Sequence, residues 1–167
     1  MIQTRIIKAS EDLSRHKRLI VGAGCPNIPE DTLKNKDARF SEIVTVIWKW
    51  YHEQLMHDLD FLGGIGTKEQ KKTLREFDEL LSAQRHDGQH ANSTRKKQAS
   101  AWRAGVKCKG KTPSQSELIE ALLGELEIAL KTAIDIAANV HNDTTKVSLW
   151  VQHNANTPES QVMAALH

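Results

Sequence analysis

The chain has 167 residues, 39% of them hydrophobic and 26% charged, with a formal net charge of +2. This length and composition suit a single globular domain with its own core and exclude a disordered polyelectrolyte. Cys25 and Cys108 are the only cysteines and form no CxxC pair, which excludes a disulfide-stapled scaffold and leaves any zinc site to be built almost wholly from histidines.

The N-terminus, MIQTRIIKASEDLSRHKRL, lacks the apolar core of a signal peptide, and no later run reaches the roughly 18 apolar residues of a membrane span. The expectation is a soluble, cytoplasmic protein. Ser10 to Val21 reads as a helix and Gly22 to Pro29 as a loop. RLIVGAGC puts Gly22 and Gly24 after an apolar run, but the third glycine and the acidic partner of a nucleotide-binding turn are missing, so it too reads as loop.

From Phe40, the positions Ile43, Val44, Ile47, Trp48, Tyr51, Leu55, Leu59 and Leu62 follow one face of a long helix. Asp37 can cap its start, and the Gly63 to Gly66 turn is expected to stop it. Within it, HEQLMH resembles the zincin HExxH, yet His52 and His57 are five residues apart, about 140° around a helix. No zinc site of that type is expected.

Thr67-Lys68-Glu69-Gln70 has the form of a capping box and opens a second helix with Leu74, Phe77, Leu80 and Leu81 on its buried face. A short helix from Lys97 to Ala104, anchored by Trp102, is expected next. Thr112-Pro113-Ser114-Gln115 reads as a further capping box, with proline in the first turn, opening the long helix SELIEALLGELEIALKTAIDIAANV. Asn139 to Asp143 end that helix. The pattern predicts an all-α, antiparallel helical bundle over residues 1–142, followed by a C-terminal tail, 143–167, with an exposed Trp150 and a last short helix from Pro158. The wide apolar face of the long helix predicts a homodimer.

The second helix runs into AQRHDGQHAN, and from Arg85 to Lys111 the basic residues Arg85, Arg95, Lys96, Lys97, Arg103, Lys107, Lys109 and Lys111 face one acid, Asp87. Acid-base cleavage of RNA needs a group that titrates near neutrality and a fixed cation facing the phosphate; histidine, with an unperturbed pKa of about 6.5, and arginine meet those needs. The string Arg85-His86-Asp87-Gly88-Gln89-His90 resembles the HEPN signature of arginine, a polar residue, about three further residues and histidine. The match covers six residues within a helical frame, and Gly88 departs from it by weakening the helix inside the motif. On an unbroken helix Arg85 and His90 are also about 140° apart, so a kink or a second subunit has to unite them.

The resemblance implies a helical bundle that dimerises, joining two motifs in one composite ribonuclease site that uses no metal and no cofactor. The 2′-OH of RNA attacks the adjacent phosphorus there and gives a 2′,3′-cyclic phosphate, typically in a prokaryotic defence or toxin-antitoxin system under a regulatory protein partner. His90 is then the general acid or base, Arg85 the stabiliser of the phosphorane charge and His86 an auxiliary polar group. Arg95, Lys96 and Lys97 bind the substrate backbone. The competing reading is a non-catalytic helical interaction module, or a nucleic-acid-binding subunit, that assembles with a partner protein.

Overall fold

The computed structural model describes residue 8 and residues 40–86, 94–140 and 143–153. Helix α1 (Phe40–Trp48) passes into a π-helical segment (Lys49–Leu55) and on into α2 (Met56–Ile65); α3 (Lys68–His86), α4 (Thr94–Gly105), α5 (Gln115–Val140) and α6 (Thr144–His153) follow. No strand occurs among the described residues.

All nine apolar positions expected on the first long helix are buried, and so is Trp50. Trp50 lies two residues beyond Trp48, about 200° around a helix, so this helix is covered on more than one side. α1 accordingly packs against both α3 and α5. The helix does not stop at Gly63: it continues through Gly64 to Ile65 and closes when the Gly66 amide donates to the Leu62 carbonyl, 2.9 Å away. Gly63 instead permits close approach, since a Cβ there would lie 3.3 Å from Lys71 Cγ of α3.

The Thr67 capping box forms as expected. The Thr67 amide donates to Gln70 Oε1 at 2.8 Å, and the Gln70 amide donates back to Thr67 Oγ1 at 3.1 Å. The turn reverses the chain: Trp48 meets Ser82, His52 meets Asp78 and Gly63 meets Lys71, so partner numbers fall as the helix advances. α3 is therefore antiparallel to the α1–α2 line.

The box expected at Thr112 is displaced by two residues. Ser114 caps α5: its hydroxyl accepts from the Glu117 amide, and Glu117 accepts from the Ser114 and Lys109 amides, each at 2.9 Å. Proline thus precedes the cap rather than opening the helix. Gln115 faces elsewhere, because its side-chain oxygen accepts from the Phe40 amide at 2.8 Å and closes the start of α1. Asp37, the expected cap there, lies outside the described residues. With Phe40 beside Gln115, and Gly66 beside Ile136, α5 runs parallel to α1–α2.

α6 packs on α2 and α5 and returns antiparallel to α5, bringing His153 to Asp58. Trp150, expected to be exposed, is fully buried. The reason is amphipathic pairing: Val147 and Trp150 are three apart on α6 and turn together towards the core, while Leu149 stays 41% exposed. The helix expected from Pro158, the N-terminal helix and the Gly22 loop lie outside the described residues. The α1–α2 line, α3, α5 and α6 thus form an up-down-up-down bundle, and α4 crosses one end of it.

Candidate functional site

The end crossed by α4 gathers the start of α1, the last turn of α3 and the start of α5. α4 is longer than expected and buries Ala99 against the bundle, while Trp102 stacks on Phe40 at 5.9 Å between ring centroids. Gln84, 4% exposed, ties the last turn of α3 to this helix: its Nε2 donates to the Ala99 carbonyl at 3.2 Å, and its Oε1 accepts from Arg103 Nε at 2.8 Å. With Gln84 facing inward, the next residue, Arg85, faces solvent.

Arg85 is nonetheless seated. Its guanidinium carbon lies 3.6 Å from the centre of the Trp48 ring, a cation–π contact. Trp48 donates through Nε1 to Ser82 Oγ at 3.3 Å and stacks on His52, with ring centroids 4.6 Å apart and planes 19° from parallel. His52 in turn shares a 2.7 Å hydrogen bond between Nδ1 and Asp78 Oδ1.

These contacts form a chain from Arg85 through Trp48 and His52 to Asp78. It joins a planar cation to an imidazole oriented by a carboxylate, which is the residue chemistry of acid-base work on a phosphoester. His52 sits within the π-helical segment, a geometry often found at functional positions. Beneath it Tyr51 is fully buried, and its hydroxyl donates to the Leu74 carbonyl at 2.9 Å. Burial, with smaller contributions from the Asp78 and Asp60 carboxylates, raises the tyrosine pKa and keeps the phenol neutral.

Of the expected site residues, Arg85 and His86 close α3, while His90 and Asp87 lie outside the described residues. Arg95, Lys96 and Lys97 occupy the first turn of α4, all exposed, with no acidic residue beside them in that turn. Three cations at a positive helix N-terminus oppose the helix dipole.

Sequence reasoning weighed His52 only as a zinc ligand and passed over its pairing with Asp78, 26 residues away. The usable signal is heptad-like: His52 follows Trp48 by four residues, and Asp78 precedes Ser82 by four, so two antiparallel helices meeting at Trp48 and Ser82 also meet at His52 and Asp78. No helix among the described residues is long and apolar enough to cross a membrane. No protein-family model matches the chain, and no curated protein or solved structure matches it either.

Proposed function

We propose that the chain is a metal-independent endoribonuclease of HEPN type, with its site at the α3–α4 end of the bundle. The observation that carries this reading is the exposed Arg85 with its guanidinium carbon 3.6 Å from the centre of the Trp48 ring, and His52, itself bonded to Asp78, stacked on the same indole. A cation held in place before substrate arrives stabilises developing phosphorane charge without reorganisation. His90 and His52 are the imidazoles available to take the 2′-OH proton and to return one to the leaving 5′-oxygen; His86 is auxiliary. Arg95, Lys96 and Lys97 hold the RNA backbone. A second copy supplies the matching motif, and a partner protein in a defence or toxin-antitoxin setting restrains the activity.

The test is cleavage of a generic single-stranded RNA by the full chain in excess EDTA, comparing wild type with Arg85→Ala and His90→Ala. The expected products end in a 2′,3′-cyclic phosphate and a 5′-OH, and each variant lowers turnover by about a hundredfold or more. Absence of cleavage by the folded wild type, or full activity in both folded variants, rejects the reading.

A separate observation favours the non-catalytic alternative. An open groove of about 680 Å3 runs between α4 and α5, lined by Trp102, Val106, Ala121 and Ile128 with Glu120 and Glu125 beside them. Ile128 is 56% exposed. Apolar floor and acidic margin together suit a basic amphipathic helix of a partner protein. A synthetic Leu/Lys helical peptide that binds wild type and is lost on Ile128→Asp, with no RNA cleavage, is the outcome this alternative expects.

A further inference from the structure

A second group of side chains stands apart from Arg85, on α2 and the last residue of α6. We propose that His57, Asp58 and His153 form a binding site for a divalent transition metal of the zinc type, independent of the ribonuclease reading. Among the described residues, they are three metal-ligating groups that each offer one donor atom, all within 4.8 Å of one another. Two imidazoles and one carboxylate are a common zinc donor set, leaving a fourth position for water or a further ligand.

The donor separation fits two of the three ligands. His153 Nε2 and Asp58 Oδ1 are 3.1 Å apart, and neighbouring donors around a tetrahedral ion with bonds near 2.0–2.1 Å are separated by about 3.3 Å. Both side chains are largely shielded, with 13% and 8% of their surface exposed. His153 is held in place, since its ring stacks on Phe61 with centroids 4.4 Å apart. His57 is the ligand that moves. Its ring lies 4.2 Å from that of His153 and only 22° from parallel, which sets the two in-plane lone pairs side by side rather than towards one point. His57 is exposed, and rotation of its ring out of the stack on His153 closes the third bond.

A carboxylate set beside two imidazoles and backed by an aromatic ring favours a cation over water more strongly than the same groups on an open surface. Binding through Nε2 exchanges the hydrogen bond between His153 and Asp58 for the ion, with the neutral imidazole carrying its one proton on Nδ1. The bound ion then ties α6 to α2.

The test uses the full chain, stripped with EDTA and dialysed free of it, then titrated with zinc by calorimetry and with cobalt(II) by visible absorption. The expected result is one equivalent bound per chain and the intense visible bands of a four-coordinate cobalt site. His57→Ala, at an exposed position, keeps the fold by circular dichroism yet weakens zinc by more than about a hundredfold, the upper end of what losing an outer-sphere partner does. His153→Ala loses the equivalent as well, and His52→Ala, outside the group, retains it. The proposal is overturned if wild type takes up no stoichiometric zinc, or if folded His57→Ala binds it like wild type. EDTA that abolishes zinc binding while RNA cleavage persists supports both readings, whereas cleavage lost with EDTA and restored by zinc overturns the metal-independent mechanism and leaves the site standing.

Discussion

The seat of Arg85 on Trp48 can be measured without any assumption about activity. A double-mutant cycle pairs Arg85→Ala with Trp48→Leu, which removes the π face but keeps apolar bulk in a position only 9% exposed. The tryptophan change disturbs other things as well, since the indole also bonds Ser82 and stacks on His52. Those losses recur in both backgrounds and cancel in the cycle. What remains is the contact of guanidinium on indole at 3.6 Å. Because the arginine is exposed, the lower range applies, about 0.5–1 kcal/mol, rather than the roughly 2 kcal/mol of a desolvated pair. Urea denaturation of the four proteins, at matched m values, gives the coupling from the shifts in midpoint. A coupling within about 0.3 kcal/mol of zero, the scatter of independent sites, would show that Trp48 does not hold the cation.

Four further outcomes follow from the packing and the charges. Trp150→Ala empties a fully buried position and should destabilise the fold by about 3–5 kcal/mol in urea, whereas a dispensable tail residue would change it by less than about 0.5 kcal/mol. Tyr51→Phe removes a buried hydrogen bond to Leu74 and should lower stability by roughly 1 kcal/mol with the helical circular dichroism unchanged. Glu117 is held below the ordinary carboxyl value of 4.5 by the Ser114 and Lys109 amides, with the Ser114 hydroxyl and the Lys109 charge adding to them; its contribution is therefore full above pH 4.5 and fades as the pH falls below it, so Glu117→Gln should flatten that part of the acid melting curve. Lys96→Ala with Lys97→Ala should reduce the salt dependence of RNA binding by roughly 0.7 in slope for each phosphate no longer neutralised, measured by filter binding, and spare turnover at saturating RNA.

What the sequence disclosed was local. Thr67 and Gln70 are three residues apart and satisfy each other, so their capping box is written in four letters. The second box was ambiguous on the same rule, because Thr112 precedes Gln115 and Ser114 precedes Glu117 by equal spacing. A long-range hydrogen bond decided it: Gln115 is engaged by Phe40, 75 residues earlier, and only Glu117 is left to reach back. Trp150 misled for a similar reason. Its segment is polar and short, and nothing nearby reveals that α2 and α5 leave a groove for it. The Arg85 motif was visible as residue types, but its partner Trp48 is on another helix. His153 and Asp58 are 95 residues apart, and no spacing rule links them.

The π-helical segment has a mechanical consequence. Trp48 and His52 address α3, while His57 and Asp58, one turn further on, address α6, so two separate partnerships are cut into one rod. Their angular offset is set by the wider winding between them, where each residue advances less than the 100° of an α-helix. Seven π-wound residues cover nearly the same rotation as six α-wound ones, so removing one residue from Lys49–Leu55 lets the stretch relax to ordinary winding with both ends in phase, whereas rewinding all seven as α-helix turns everything beyond them by roughly 100°. Both partnerships survive such a deletion and only one survives rewinding at full length, so the segment acts as the phase lock between the two ends of the helix.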